Sequence, residues 1–149
     1  MLEWLKQKAS NVQSSLKQEV TRFRNRDFLE AVIAGCALVA YADGHADAAE
    51  KQKMMGFLRT SEALSVFEVS EVISLFDKYT QQLDFDHSIG EAAALQAVGK
   101  LRSKESESRL LVRVCCAIGA SDGNFDDKER QVAARICREL GLNPSEFDL

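Results

Sequence analysis

Apolar residues recur every three or four positions along almost the whole chain, and this spacing restricts the protein to helices. The first stretch shows one continuous stripe, formed by Leu2, Leu5, Ala9, Val12, Leu16, Val20 and Phe23. Such spacing places apolar side chains on one face of an α-helix. No segment alternates apolar and polar residues as a half-buried strand does. The sequence therefore predicts an all-α protein, a compact bundle of about seven helices.

Length, charge and cysteine usage limit the classes of function. A chain of 149 residues with 46% hydrophobic residues is long enough to bury a core and short enough for one domain. Its net charge of −4 argues against nucleic-acid binding. No apolar run is long enough to cross a bilayer, and no signal peptide is evident. The four cysteines lie in apolar helical segments without C-x-x-C spacing, which predicts buried, reduced thiols in a cytoplasmic protein.

An acidic octet of the form D-G-x-x-D-x-x-E occurs twice, with a separation of 79 residues. Aligning residues 31–59 with 110–138 gives seven identities in 29 positions, where chance gives about two. We expect each half to form a helix, an acidic loop, a second helix and a capped turn, and the two halves to be related by a pseudo-twofold axis. The single domain 1–149 then comprises a basic amphipathic N-terminal helix (1–26), repeat one (27–80) and repeat two (89–149).

Helix capping explains part of the octet. Asp47 and Glu50 have the spacing of a capping box, and Gly44 suits the left-handed end of the preceding helix. Similar signatures predict further caps at Ser65, Ser88, Asp126 and Asn143, each with a glutamate three residues later. Capping leaves the first aspartate of each octet unexplained. We expect that aspartate to lie in the last turn of a helix, where the helix dipole opposes a negative charge.

A divalent cation provides another use for these carboxylates. Carboxylate and loop carbonyl oxygens are the ligands that Ca²⁺ and Mg²⁺ prefer, and we expect Ca²⁺ rather than Mg²⁺. The spacing is not that of an EF-hand, and one loop offers fewer oxygens than the 6–8 that Ca²⁺ takes. We therefore expect the two loops to share one ion or to bind neighbouring ions. The candidate ligands are Asp43, Asp47, Glu50, Asp122, Asp126 and Glu129.

The paired segments ADGHADAAE and SDGNFDDKE each follow a small-residue apolar helix, and together they resemble the TerB tellurite-resistance family. The flanking FLEAVIAGCALVA and RLLVRVCCAIGA are also similar to that family. The resemblance implies an all-helical domain with an internal repeat and a divalent-metal site at the six acidic positions. It also implies a role in bacterial tellurite resistance and stress response at the cytoplasmic face of the inner membrane. The expected partner is an integral membrane protein of the same operon.

The remaining motifs favour no enzyme. The chain has no P-loop, no glycine-rich dinucleotide turn and no supported Ser/His/Asp arrangement. The acidic loops repel the tellurite oxyanion. Thiol-based reduction of tellurite is an alternative, but buried cysteines are mostly inert and pack as small apolar residues. His87 with Asp84 and Asp86 forms either an additional ligand set or a solvated helix entrance.

The N-terminal segment differs in charge from the rest of the chain. Residues 1–26 carry six basic and two acidic side chains, a charge of +4, whereas the remainder carries −8. The segment is either a core helix with a solvated basic face or an amphipathic segment attracted to an anionic membrane surface. Two functions thus stay open: a metal-binding regulatory or adaptor domain, and a helical interaction scaffold at the inner membrane whose acidic loops are only caps.

Overall fold

A computed structural model describes residues 2–6, 9–121 and 123–149. These residues form seven α-helices and two short 3-10 helices, without a β-strand among them. The α-helices are α1 (Ala9–Arg22), α2 (Arg26–Ala40), α3 (Ala48–Thr60), α4 (Val69–Phe85), α5 (His87–Gly99), α6 (Glu105–Gly119) and α7 (Asp127–Glu139). The 3-10 helices are Glu3–Lys6 and Pro144–Phe147. The predicted all-α bundle is confirmed.

Helix α2 lies at the centre of the bundle. Between Phe28 and Val39, every residue except Glu30 is buried, because α2 packs against α4, α5, α6 and α7. A helix that is apolar on all sides must be enclosed in this way. Its approach to α6 is close, since a Cβ atom added at Gly35 would lie only 2.7 Å from Cys115 Sγ.

The helices of the two halves have equal lengths at equivalent positions. Both α2 and α6 contain 15 residues, and both α3 and α7 contain 13. Helices α6 and α7 begin and end 79 residues after α2 and α3, respectively, which is the spacing of the two acidic octets. The pseudo-twofold arrangement of the halves and the subdivision into 1–26, 27–80 and 89–149 stay predictions.

Two predicted caps are wrong, and in both cases an acidic residue begins the helix instead. Helix α4 begins after Glu68, whereas Ser65 lies in the preceding turn and its hydroxyl donates to the Glu62 carbonyl at 2.7 Å. Helix α5 is capped by Asp86, which accepts from the Ile89 amide, rather than by Ser88. The Asp86 cap lies one residue after the end of α4, so α4 and α5 meet at a sharp corner.

The N-terminal segment uses its apolar face in the core. Leu2, Leu16 and Val20 are buried, and the Trp4 indole donates to the Phe147 carbonyl at 3.4 Å. The structure divides this segment into the 3-10 helix and α1, whereas one long helix was expected; Gln7 and Lys8 lie outside the described residues. None of the helices described here has the length and apolar character needed to span a bilayer.

Two tyrosine–carboxylate pairs join α2 to α4. The Tyr79 hydroxyl on α4 donates to Glu30 at 2.6 Å, and Tyr41, which follows α2, donates to Asp84 at 2.6 Å. Burial and the hydrogen bond to the carboxylate raise the pKa of each tyrosine. The hydrogen bond from Tyr79 lowers the pKa of Glu30 despite partial burial, with a further contribution from Lys78. Both hydroxyls therefore remain protonated donors at neutral pH.

We expect Tyr79→Phe to destabilise the protein at neutral pH by about 1.5–3 kcal/mol, the typical contribution of a hydrogen bond to a charged group. The folded pKa of Glu30 lies below its ordinary value of 4.5. Its contribution is therefore complete above that pH and is lost as the pH falls through the folded pKa. Acidification in this range should destabilise the Tyr79→Phe variant less than the original protein, as measured by urea denaturation.

The Glu30→Gln background provides the control for this effect. The glutamine that replaces Glu30 does not titrate, so Tyr79→Phe should leave the pH dependence of stability unchanged in this background. An equal loss of pH dependence in both backgrounds would assign the effect to a group other than Glu30.

Candidate metal site

The first acidic loop is a short, hydrogen-bonded turn between α2 and α3. After α2 ends at Ala40, the Gly44 amide donates to the Tyr41 carbonyl at 2.8 Å. Gly44 has φ +94°, a left-handed conformation that glycine adopts without steric cost. Asp47 then caps α3, accepting from the Glu50 amide at 2.8 Å. The predicted glycine and N-cap are thus present.

The second loop has the same local geometry. The Gly123 amide donates to the Ala120 carbonyl at 2.9 Å, and Gly123 has φ +81°. Asp126 caps α7 with φ −75° and ψ 174°, compared with −78° and 175° at Asp47. Here the capping box is complete, because the Glu129 side chain also accepts from the Asp126 amide at 3.1 Å. Asp122 lies outside the described residues.

Each loop is attached to the core by one buried side chain of its own. Ala46 in the first loop and Phe125 in the second are buried, although both flank exposed acidic residues. The Phe125 ring lies over the end of α6, where a Cβ atom added at Gly119 would be 3.0 Å from the ring and 3.1 Å from Val39 of α2. The ends of α2 and α6 are therefore adjacent, which brings the two loops to the same side of the bundle.

Asp43 does not lie in the last turn of a helix, and the expectation that it does is wrong. It follows the last residue of α2 by three positions, in the turn that Gly44 closes. Its carboxylate lies 3.4 Å from the ammonium of Lys128, which is in the first turn of α7. Since both side chains are more than half exposed, this ion pair contributes about 0–1 kcal/mol. It nevertheless places Asp43 against the start of α7, which directly follows the second loop.

Of the five candidate ligands that the structure describes, four line one cleft between the loops. Asp43 and Glu50 enter it from the first half and Asp126 and Glu129 from the second. The cleft has a volume of about 230 Å³. Its other lining residues include Lys53 and Asn124 on the polar side, and Val39, Met54 and Phe57 on the apolar side. Asp47 does not line the cleft, although it belongs to the same octet.

The cleft is not a closed ligand set. Within residues 2–6, 9–121 and 123–149, no three His, Cys, Asp or Glu side chains converge closely enough to hold a metal ion. The loops thus provide carboxylates from two sides of an open space rather than a preformed shell. A cation held there would need water molecules or loop carbonyls as additional ligands, as is usual for Ca²⁺ and Mg²⁺.

The residues near His87 have structural partners. Asp84 accepts from both the Tyr41 hydroxyl and the Lys51 ammonium, and these bonds lower its pKa although burial opposes the shift. Asp86 caps α5. The His87 ring lies 3.5 Å from Glu91, which pairs with Arg135 of α7 at 2.6 Å. This cluster therefore stabilises the corner between α4 and α5, as the helix-entrance interpretation predicted.

All four cysteines are free and buried, as the sequence predicted. The pKa of Cys115 is raised by its hydrogen bond with Cys36 and by burial. Burial also raises the pKa of Cys116, and raises that of Cys137 to about 12. Because the thiolate is the reactive form, these thiols are poor nucleophiles at neutral pH.

Sequence reasoning missed the cations of the site. Lys128 and Lys53 lie beside the carboxylates, but neither belongs to the repeated pattern: Lys128 corresponds to Ala49 in the first half, and Lys53 to Val132 in the second. Neither lysine is shared by the two halves, so the repeat does not indicate them.

The sequence of this chain is similar to those of known proteins of one family. A family model described as "Tellurite resistance protein TerB" matches residues 29–149. The tellurium resistance protein TerB of an Alcaligenes species is 38% identical over 99 residues, which cover 66% of this chain and 81% of that protein. No solved structure matches the chain significantly. The chain belongs to the TerB family of tellurite resistance proteins.

Proposed function

We propose that this protein acts in tellurite resistance and stress response as a non-enzymatic regulatory or adaptor domain that binds a divalent cation between its two acidic loops. The observation that carries the proposal is that Asp43, Glu50, Asp126 and Glu129 line a single cleft although they belong to two loops. Each separate loop supplies too few oxygen ligands for Ca²⁺, which takes 6–8. Four carboxylates from both loops provide a larger part of that number.

The open geometry favours Ca²⁺ over Mg²⁺. Calcium accepts irregular coordination at 2.3 to about 2.6 Å, whereas magnesium requires a near-octahedral shell and releases its water molecules reluctantly. A cleft whose carboxylates do not converge suits the more adaptable ion. Ordering the two loops around the cation would link α3 to α7, and this link provides a means of regulating a partner.

The two lysines beside the cleft carboxylates determine whether a substitution should strengthen or weaken cation binding. Lys128 lies 3.4 Å from Asp43 and balances its charge, and Lys53 lines the same cleft. A divalent cation that binds Asp43 must weaken or replace the contact with Lys128, since like charges repel at this distance. Lys128 therefore competes with the metal, and its removal should favour binding.

We expect Asp43→Asn to weaken Ca²⁺ binding about tenfold or more, and Lys128→Gln to strengthen it. A ligand stabilises the folded state in proportion to its occupancy, so a tenfold loss of affinity removes about 1.4 kcal/mol of calcium-dependent stability. In a protein of this size that is a decrease of roughly 3–6 °C in the calcium-dependent rise of Tm. Thermal melting with and without Ca²⁺ and Mg²⁺ measures both effects.

Asp47→Asn is the matched control. It removes the same charge from the same loop, but asparagine caps a helix as well as aspartate does, and Asp47 does not line the cleft. Its calcium response should equal that of the original protein. An equal loss in Asp43→Asn and Asp47→Asn would favour separate sites on each octet, and no metal-dependent change in the original Tm would refute metal binding.

The proposed function does not involve direct handling of tellurite. The carboxylates of the cleft repel an oxyanion by about 1 kcal/mol per charge pair at 4 Å even in water, and by more in a partly buried site. The four thiols, which are the chemical alternative for reducing tellurite, are buried, and the pKa values of Cys115, Cys116 and Cys137 are raised. Both observations support a role in control or assembly rather than in the chemistry of detoxification.

A second candidate function is a helical scaffold at the inner membrane whose acidic loops serve only as caps. The cap hydrogen bonds of Asp47 and Asp126 favour it, since they use one oxygen of each carboxylate. On this proposal the partner is an integral membrane protein of the same resistance operon, and nucleic acid is not bound. The basic N-terminal segment, residues 1–26, would add attraction to anionic lipid.

We expect the double variant Arg22→Gln/Arg24→Gln to weaken any binding to anionic vesicles by roughly 30-fold, because each basic residue near such a surface contributes about 1 kcal/mol. Both side chains are exposed, so the variant should fold normally. Removing residues 1–26 is a poorer test, because Leu16 and Val20 belong to the core. Co-sedimentation with phosphatidylserine vesicles measures the effect, and equal binding by both proteins would contradict it.

A further inference from the structure

An apolar groove follows the outer face of α4. It has a volume of about 980 Å³ and shares no residue with the acidic cleft. It contains the three large apolar side chains that the described chain exposes, with exposed fractions of 49% for Val69, 85% for Phe85 and 59% for Ile89. Val69 and Phe85 lie at opposite ends of α4, about 24 Å apart. Because all three line one groove rather than separate parts of the surface, the groove is a candidate contact surface.

The backbone that presents Phe85 and Ile89 is rigid. A Cβ atom added at Gly90 would lie 2.5 Å from the Leu83 backbone nitrogen, so α4 and α5 touch directly at this corner. Asp86 caps α5 and its amide donates to the Gln82 carbonyl of α4. The apolar side chains are therefore held in place before any contact forms, which lowers the entropy cost of binding.

The groove also holds a cation, Arg59, and an anion, Asp77, that have no partner among the described residues. Arg59 and Asp77 both line it, and neither side chain forms an ion pair or hydrogen bond with the described part of the chain. Lys78, also in the lining, is paired with Glu30. In a chain of net charge −4, this face is thus close to neutral and carries both signs. Such a surface is complementary to itself rather than to a strongly charged partner.

We propose that the α4 groove binds a second copy of this chain in a twofold-symmetric dimer. In a twofold contact the same surface serves both copies, so each Arg59 can meet the Asp77 of the other. With the two α4 helices antiparallel, Val69 of one copy packs against Phe85 of the other. Asp77 lies midway between Val69 and Phe85, near the twofold axis of the dimer. The two symmetry-related Asp77 carboxylates therefore approach each other, and the Arg59 side chain of the opposite copy must offset their repulsion.

An anionic membrane is a less suitable occupant. Phe85, the most exposed apolar side chain, lies between Asp84 and Asp86, and both carboxylates would be repelled by anionic lipid. One helix face of this length also implies a small interface, at the low end of specific contacts. The dimer should therefore dissociate on dilution.

Sedimentation velocity on the full chain, up to millimolar concentration, tests the proposal. The original protein should show a reversible monomer–dimer equilibrium. Phe85→Ser should raise the dimer Kd by roughly tenfold or more, as expected for an exposed aromatic anchor. Because Phe85 is 85% exposed, its replacement should not alter folding, which circular dichroism checks.

Charge reversal identifies the symmetric pair. Arg59→Glu and Asp77→Lys should each abolish self-association, because each homodimer would contain two like-charge contacts. Mixing the two variants should restore a dimer, since the introduced glutamate then faces the introduced lysine and the unchanged Arg59 faces the unchanged Asp77. Arg138→Glu is the matched control: Arg138 occupies the position equivalent to Arg59 in the last turn of α7, lies outside the groove, and its reversal should leave Kd unchanged.

Three results would overturn the proposal. The first is a protein that stays monomeric at millimolar concentration, including one that binds vesicles through Phe85 instead. The second is a dimer whose Kd does not respond to Phe85→Ser. The third is failure of the mixed Arg59→Glu and Asp77→Lys variants to associate, or an equal effect of Arg138→Glu.

Discussion

Helix α2 is enclosed by its neighbours, and the remaining elements are positioned by that enclosure. Burying an apolar helix on all sides requires partners along its whole length, and α4, α5, α6 and α7 provide them. Glu30 is the one residue between Phe28 and Val39 that is not buried, and its carboxylate accepts a hydrogen bond from the Tyr79 hydroxyl. The close approach of Gly35 to Cys115 aligns α2 with α6, and the loops that follow these helices consequently meet.

The two acidic loops combine a structural and a chemical use of the same side chains. Each loop supplies an aspartate that satisfies a free amide at the start of the next helix, and this explains why the pattern is compatible with a stable fold. Capping uses one oxygen of a carboxylate and leaves others for further contacts. The contact between Asp43 and Lys128 joins the first loop to the start of α7 through charge, so a cation entering the cleft would modify an existing interaction.

Local patterns could be predicted, and long-range contacts could not. The spacing D-x-x-E correctly predicted the caps at Asp47 and Asp126, because capping depends on residues three positions apart. The same reasoning failed at Ser88, because Asp86 caps α5 instead. It also failed at Ser65, whose hydroxyl bonds within the preceding turn while α4 begins after Glu68 without a side-chain cap hydrogen bond. The ion pair of Asp43 with Lys128, the position of Asp47 outside the cleft and the exposure of Phe85 depend on how distant segments meet, which periodicity does not encode.

The enclosed thiols have a consequence for experiments on living cells under tellurite stress. Cys36, Cys115, Cys116 and Cys137 lie on α2, α6 and α7, in the centre of the bundle, and a thiol reagent or oxidant reaches them only when these helices separate. Their modification should therefore proceed at the rate, or in proportion to the population, of such opening. The fraction of modified cysteine thus records how often the core has opened since the protein was made.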